Sequence, residues 1–131
     1  MKLTSLRLIS KDIKAAVEFY EQAIGLSARW YTEDFAELSA DSITIAIGST
    51  QTMKMFSGGL TDFAGTKSII IEFLVKNVDE EYERIKNIAS EIIQEPTTMP
   101  WGNRSLVFCD PDGNMINFFT PVSAEAVKKF S

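Results

Sequence analysis

The sequence predicts an α+β fold built from two βαβββ modules, and two observations indicate this. First, each half of the 131-residue chain reads as a strand, an amphipathic helix and three further strands. Second, the halves repeat: Ser-Lys-Asp-Ile at 10–13 aligns with Val-Lys-Asn-Val at 75–78, each at the junction of the first strand and the helix. Because one such unit cannot cover its own sheet, two units are expected to share a core within a single domain.

The first module, about residues 1–50, opens with a strand that is followed by an amphipathic helix. Asp12 is suited to cap this helix because its side chain can accept a backbone N–H, and Gly25 is suited to end it. One helix face is apolar and is formed by Ile13, Ala16, Val17 and Tyr20. Three strands are predicted after the helix, near residues 27–33, 35–40 and 42–49.

The second module, about residues 66–121, repeats this order. Asn77, with Glu80 three residues later, is typical of a helix N-terminus. Residues 51–65 contain Gly-Gly and show no period, which predicts a linker between the modules, and residues 122–131 predict a C-terminal helical tail. Three strands are predicted after the second helix, near residues 91–95, 103–109 and 114–120.

The composition argues against several classes of function. A net charge of −5 and a pI of about 4.7 argue against nucleic-acid and membrane partners. No apolar run approaches the ~20 residues that cross a bilayer, and Cys109 is the single cysteine, so a cytoplasmic protein is expected. The sequence contains no histidine, which excludes histidine-dependent triads and most zinc chemistry.

Two stretches resemble the vicinal oxygen chelate superfamily, which includes glyoxalase I, extradiol dioxygenases and bleomycin resistance proteins. The first is SKDIKAAVEFYEQAIGL at 10–26. The second lies within 75–119 and contains Pro-Trp-Gly before a strand and Asp-Pro-Asp-Gly after it. The chain is most similar to the bleomycin-resistance-like branch. The resemblance implies a paired fold whose mixed strands curve around a cavity, and a homodimer whose sheets are completed within or across chains.

The resemblance also implies where a metal ion would bind, because metal-using members place one ligand on each of four strands. Matched motif to motif, these positions in this sequence are Ser5, Ala46, Ile70 and Asn117. None of these side chains is anionic or an imidazole, so together they are unsuited to a divalent ion. No metal and no other cofactor is therefore expected, and glyoxalase I or dioxygenase activity is not expected either.

Successive side chains of a strand point to opposite faces of the sheet, so further side chains are expected on the sheet face that carries these four positions. Arg7 and Glu72 are equivalent in the two modules and are expected to be buried there. They either form a structural ion pair or leave Arg7 to hold an anionic or carbonyl-bearing ligand. In a third alternative, a different strand register places one of them in solvent. The same face should carry a row of small residues, Thr44, Ala46 and Gly48, and a final-strand row of Met115, Asn117 and Phe119.

Asn117 interrupts an apolar strand, and two roles are open for it: its amide orients a polar ligand atom, or the neighbouring backbone satisfies the hydrogen bonds of the amide.

Trp101, with Arg104 three residues later, best matches the aromatic residues that stack on flat ligands in the resembled proteins. Core or dimer packing is the alternative for every such aromatic. The remaining aromatic candidates are Trp30, Tyr31, Phe35, Phe56 and Phe63, and the central linker adds the methionines Met53 and Met55.

Two smaller assignments concern the stretch before the last strand. Cys109 lacks an activating histidine and is expected to be a buried packing residue. Asp110 and Asp112 are expected to serve the turn rather than a metal ion.

The leading hypothesis is a metal-independent protein that sequesters an unidentified small molecule, partly aromatic, in the manner of an antibiotic-resistance protein. One alternative is an enzyme without the usual metal site, in which Glu72 is the base and Arg7 or Asn117 contacts an oxyanion or carbonyl. Another is an interaction domain whose pocket is filled by its own side chains. The candidate ligand-binding residues are Arg7, Glu72, Asn117, Trp101, Arg104, Phe119 and Met115.

Overall fold

The computed structural model describes residues 3–55 and 69–131. The chain divides into two compact units, residues 1–64 and residues 65–131. Each unit holds one four-stranded mixed sheet. The predicted α+β class and the repeated βαβββ order are confirmed.

The first unit begins with a strand, crosses over through a helix and returns as three antiparallel strands. In the sheet order β1-β4-β3-β2, β1 is parallel to β4 and the other pairs are antiparallel. The elements are β1 (Ser5–Ser10), α1 (Ile13–Ile24), β2 (Arg29–Thr32), β3 (Phe35–Ser39), β4 (Thr44–Ser49) and a 3₁₀ helix (Thr50–Met55).

The second unit repeats this topology. In the sheet order β5-β8-β7-β6, β5 is parallel to β8 and the other pairs are antiparallel. The elements are β5 (Ile70–Leu74), α2 (Val78–Ile85), β6 (Glu91–Thr98), β7 (Asn103–Cys109), β8 (Met115–Pro121) and α3 (Ala124–Lys129).

The helix ends form as the sequence predicts. The Asp12 side chain accepts the backbone N–H of Ala15 at 3.2 Å, and Gly25 ends α1 in the left-handed conformation with φ 68°. The Asn77 side chain accepts the backbone N–H groups of Asp79 and Glu80 at 3.1 and 3.3 Å. These bonds satisfy donors that a helix N-terminus otherwise leaves open.

Helices α1 and α2 each pack on one face of their own sheet. The buried face of α1 lies against β4, β1 and β3, and α2 lies against β6, β7 and β8. Edge-to-face aromatic contacts, Phe108–Phe118 at 5.0 Å and Phe73–Phe118 at 5.8 Å between ring centroids, fill the second core. The opposite face of each sheet is therefore the one available for a site. No helix in the described ranges is long and apolar enough to span a membrane.

β6 is longer than the sequence predicts and extends to Thr98 rather than ending near residue 95. Pro96 lies inside it, which is tolerated because β6 is an edge strand and need not donate every N–H to a ladder. The pairing with β7 is irregular on both sides of Gln94.

The predicted linker begins as the 3₁₀ helix rather than as irregular loop. The remainder of residues 51–65, with Phe56 and Phe63, lies outside the described residues, as do the side chains of Met53 and Met55.

The turn before β8 is organised by one buried carboxylate, as the sequence predicts. Asp110 accepts the backbone N–H of Asp112 at 2.9 Å and of Asn114 at 2.8 Å, and the Asn114 side chain donates to it at 2.8 Å. Gly113 supplies the positive φ, 86°, that the turn needs. Cys109 is buried, also as predicted.

Candidate functional site

The helix-free face of the first sheet carries a row of four residues at one level. Arg7 on β1 pairs in register with Ala46 on β4, Ala46 with Glu37 on β3, and Glu37 with Arg29 on β2. Residues paired in this way point to the same face of a sheet. Two guanidinium groups and one carboxylate thus share the face opposite α1.

Aromatic rings join the two arginines into a ladder across this face. The Arg7 guanidinium carbon lies 4.8 Å from the centre of the Phe35 ring, and Phe35 lies 5.9 Å from Tyr31. Arg29 lies 4.8 Å from the centre of the Tyr31 ring at the other end. These distances are within the range of cation–π contacts. The sequence analysis names Tyr31 and Phe35 of this ladder as candidates. Arg29, which it does not single out, stacks on Tyr31 at the end of the ladder away from Arg7.

A cavity of about 600 Å³ opens beside the Arg7 end of the ladder. No carboxylate of the described part of the first unit lies within ion-pair distance of Arg7, which leaves its guanidinium donors available. The residues that line the cavity are Arg7, Thr32, Glu33, Asp34, Phe35, Gln51 and Thr52.

The wall of this cavity is fixed by hydrogen bonds between the β2–β3 turn and the end of β4. The Ser49 hydroxyl donates to Asp34 Oδ1 at 2.7 Å, and the Ser49 backbone N–H donates to the Asp34 carbonyl at 2.9 Å. The Thr52 hydroxyl donates to the Ser49 carbonyl at 2.7 Å. Asp34 is therefore engaged in the wall, while Glu33 is exposed at the turn.

The small-residue row is largely covered. Ala46 and Gly48 are buried, and the 3₁₀ helix packs against β4. A Cβ atom on Gly48 would lie 2.7 Å from the Thr52 hydroxyl oxygen. Glycine at this position thus allows Thr52 to approach the strand and to line the neighbouring cavity.

The second sheet places different side chains at the equivalent positions. Glu72 on β5 pairs in register with Asn117 on β8, and Asn117 Nδ2 donates to Glu72 Oε2 at 2.8 Å. Asn117 is only 8% exposed, and its Oδ1 has no hydrogen-bond partner among the described residues. The amide nitrogen of Asn117 is thus satisfied by the Glu72 side chain, whereas its amide oxygen has no partner in the described part of the chain.

Arg7 and Glu72 are both exposed, so the expectation that they are buried is wrong. Each strand lies at an edge of its own sheet, where a long side chain reaches solvent. Neither charge needs a partner of the kind that burial would demand.

Met115 and Phe119 lie on the same face as Asn117, as the alternation predicts. Met115 is half-buried, whereas Phe119 is buried and packs against Phe130, with ring centroids 4.9 Å apart. The C-terminal tail that follows α3 therefore supplies an aromatic partner for Phe119 from within the chain.

Arg104 lies on the other face of the sheet, apart from Asn117 and Phe119. It donates to both oxygens of Asp79 on α2, at 2.9 and 3.0 Å. These hydrogen bonds, with the positive charge of Arg104, hold the pKa of Asp79 below its usual value against a smaller opposing effect of burial. Arg104, a candidate because it follows Trp101 in the motif, therefore lies on the sheet face opposite Asn117, since even-numbered residues of β7 point toward the helix.

Trp101 is 64% exposed in the turn between β6 and β7. The neighbouring Gly102 has φ 96°, and its carbonyl accepts the backbone N–H groups of Val122 and Ser123 at 2.9 and 3.0 Å. A Cβ atom on Gly102 would meet the Ser123 side chain, with 2.7 Å to its Cβ. The Pro-Trp-Gly motif thus anchors the start of α3 and presents the indole of Trp101 to solvent.

The four metal positions do not fit a divalent ion. Ser5 and Ile70 are exposed, whereas Ala46 and Asn117 are buried. Together they supply one hydroxyl, one amide and two apolar side chains, and the amide nitrogen is already bonded to Glu72. Within the described ranges, no group of three or more Cys, Asp or Glu side chains is placed to hold a metal ion.

Comparison with known proteins identifies relatives along nearly the whole chain. A family model described as the glyoxalase/bleomycin resistance protein/dioxygenase superfamily matches residues 2–118. The uncharacterized protein YraH of Bacillus subtilis is 29% identical over 126 residues, which cover 91% of this chain and 98% of that protein. The bleomycin resistance protein of Geobacillus stearothermophilus is 27% identical over 125 residues, which cover 86% of this chain and 92% of that protein.

Solved structures agree with the fold. A glyoxalase/bleomycin resistance protein/dioxygenase from Nocardioides has a TM-score of 0.79 at 22% identity, covering 95% of this chain and 85% of that one. A family enzyme of the same description from Burkholderia phytofirmans has a TM-score of 0.81 at 18% identity, covering 93% of this chain and all, 100%, of that one. At these identities the likeness concerns the fold alone.

Proposed function

The chain belongs to the glyoxalase/bleomycin resistance protein/dioxygenase superfamily, and from this premise we propose that it binds and sequesters a small organic molecule without a metal ion. The resemblance drawn from the sequence is thereby confirmed, while the sequestering role is our proposal. One observation carries it: the lining of a cavity of about 600 Å³ includes a guanidinium that stacks on an aromatic ring and has no ion-pair partner in the described part of the first unit.

The cavity has the size and chemistry of a ligand site. Pockets for small molecules usually measure about 300–1,000 Å³ and combine apolar surface with a few polar groups. Here Phe35 offers a flat apolar surface, and Arg7 offers donors that match a carboxylate or carbonyl oxygen. The hydrogen bonds of Asp34, Ser49 and Thr52 hold the wall in place before any ligand arrives, which lowers the entropy cost of binding.

The donor set supports binding without a metal ion. Ser5, Ala46, Ile70 and Asn117 stand where the resembled metalloproteins carry ligands, and they do not form an anionic or imidazole set. The chain is similar to proteins named for bleomycin resistance, so metal-free bleomycin belongs among the compounds to test.

A thermal-unfolding screen in EDTA tests this proposal. The panel contains metal-free bleomycin, flat aromatic antibiotics and small aromatic acids, each measured with and without added Mn²⁺, Ni²⁺ or Zn²⁺. A ligand at a hundredfold excess over its Kd stabilises the native state by about 2.7 kcal/mol, which is readily measured. We expect at least one organic compound to raise Tm saturably in EDTA. Stabilisation that appears only with a divalent ion would contradict the proposal.

An enzyme without a metal ion is a second candidate, favoured by one observation. The exposed carboxylate of Glu72 is held by Asn117 at 2.8 Å, as a positioned base would be. Mass spectrometry of each stabilising compound after prolonged incubation separates the two candidates. Unchanged compound supports sequestration, whereas product formation that is lost in Glu72→Gln supports catalysis.

A further inference from the structure

The cavity beside Arg7 holds charges of both signs that are not paired with one another. Arg7 lines one part of it, and Glu33 and Asp34 in the β2–β3 turn line another. Within the described part of the first unit, neither carboxylate lies within ion-pair distance of a cation. Opposite charges that share a cavity without neutralising each other leave room for a ligand that carries both.

The two carboxylates are not equivalent. Asp34 already accepts the Ser49 hydroxyl at 2.7 Å, and this bond belongs to the wall of the cavity. Glu33 is exposed, and its side chain forms no hydrogen bond or ion pair with the described residues. Glu33 is therefore the acidic group that remains available to a ligand, and Asp34 adds negative potential beside it.

The aromatic ring of Phe35 in the cavity lining sets the shape of the ligand. Phe35 lines the cavity directly after the two acidic residues and lies under the Arg7 guanidinium, 4.8 Å from it. Tyr31 packs against Phe35 with 5.9 Å between ring centroids and a tilt of 48°, and it does not line the cavity. A planar aromatic ligand can pack against the Phe35 ring, and its substituents can then reach the charged groups of the cavity lining.

We propose that this cavity selects a planar aromatic zwitterion, with an anionic group directed to Arg7 and a cationic amine directed to Glu33. This inference rests on the proposed function and deepens it by naming the ligand class. It differs from what the net charge of −5 suggests, which is a preference for simple cations. A lone anion would face two carboxylates in the cavity, and a lone cation would face Arg7.

Four matched benzene derivatives test the assignment by NMR titration of ¹⁵N-labelled protein in EDTA. They are 4-(aminomethyl)benzoate, 4-methylbenzoate, methyl 4-(aminomethyl)benzoate and methyl 4-methylbenzoate, which carry both charges, the anion alone, the cation alone and neither. We expect the zwitterion to bind roughly three- to tenfold more tightly than either singly charged compound, as expected for partly exposed charged contacts.

Two variants assign the charges to residues. Arg7→Leu is expected to abolish the advantage of compounds with a carboxylate, and Glu33→Gln is expected to abolish the advantage of compounds with an amine. Arg29→Leu is the matched control, since Arg29 also stacks on a ring but does not line the cavity. The Arg29 variant should keep the wild-type ranking of all four compounds.

The outcomes separate this inference from the proposed function. Equal binding of all four compounds near Phe35, or a preference for a singly charged one, would overturn the zwitterion assignment and leave sequestration in place. If neither these compounds nor any compound of the thermal screen perturbs the amides near Phe35, the proposed function itself fails.

Discussion

The two halves of the chain share a strand order and a register but place different chemistry at equivalent positions. Arg7 pairs with Ala46 in the first sheet, and Glu72 pairs with Asn117 in the second. In the first sheet the guanidinium stacks on Phe35 and borders a cavity. In the second the carboxylate accepts a hydrogen bond from its neighbour. The repeated backbone thus supplies two similar sheet faces, while single side chains decide which face stays open to a ligand.

A glycine serves a different purpose in each half. Gly25 ends α1 with φ 68° and has open space around it, whereas Gly102 combines φ 96° with close contact to Ser123. The backbone at Gly102 therefore packs closely against the start of α3, whereas the backbone at Gly25 makes no such contact at the end of α1. This difference yields the largest expected effect on stability.

Gly102→Ala is expected to lower the free energy of unfolding by about 3 kcal/mol, because backbone strain and overpacking against Ser123 add together. Gly25→Ala and Gly113→Ala are the matched controls, since a Cβ there meets nothing within 4 Å. They should lose only about 1–2 kcal/mol from the positive φ. Chemical denaturation measures all three, and equal losses would show that the contact with α3 contributes nothing.

Arg7→Leu is expected to weaken binding of a stabilising ligand about tenfold, equal to 1.4 kcal/mol, with little change in stability, because the side chain is exposed. Arg29→Leu should bind like the wild type. Isothermal titration calorimetry gives both Kd values. Equal weakening in the two variants would indicate a general charge effect instead of a contact in the cavity.

Asn117→Leu is expected to leave stability unchanged or raise it by about 1 kcal/mol, because it removes a buried acceptor that has no partner in residues 3–55 and 69–131. The loss of the bond to Glu72 should cost less, since Glu72 can bond to water. Urea denaturation measures the change, with Asn117→Ala as a control that leaves a cavity. A marked destabilisation by leucine would show that the amide is well satisfied in solution, for example by a bound water.

The smallest expected effect concerns the ion pair between Arg104 and Asp79. Because the folded-state pKa of Asp79 is lowered, its contribution is present above the unfolded pKa of about 3.9 and is lost as the pH falls through the folded pKa. Asp79→Asn should therefore lower Tm at pH 6 and converge with the wild type at low pH. Glu125→Gln, in the first turn of α3, controls for removal of a charge near a helix N-terminus. A Tm difference that is independent of pH would contradict this assignment.

The fold could be predicted because its signals are local. Asp12 and Asn77 mark helix starts, Gly25 marks a helix end, and Asp110 with Gly113 marks the last turn, and all of these form as expected. Pro96 shows the limit of such signals. Whether a proline interrupts a strand depends on its place in the sheet, and sheet order is a property of the whole unit.

The candidate site could be predicted only in part. Alternation placed Arg7, Glu72 and Asn117 on the helix-free faces, since the period of a strand is fixed by its backbone. It gave no information on what covers each residue. The 3₁₀ helix over Gly48 and the packing of Phe130 on Phe119 involve segments outside those strands. Arg104 was a candidate because it follows the Pro-Trp-Gly motif. Its even-numbered position in β7, however, places it on the sheet face that packs against α2.

The most direct test of ligand binding in the cavity beside Arg7 is an NMR titration of ¹⁵N-labelled protein in EDTA with the organic compound that raises Tm most in the thermal screen. We expect saturable shifts centred on Arg7, Phe35 and Thr52, with a Kd about tenfold higher in Arg7→Leu and unchanged in Arg29→Leu. Shifts centred on Glu72 and Asn117, or binding that appears only after a divalent metal ion is added, would contradict this expectation.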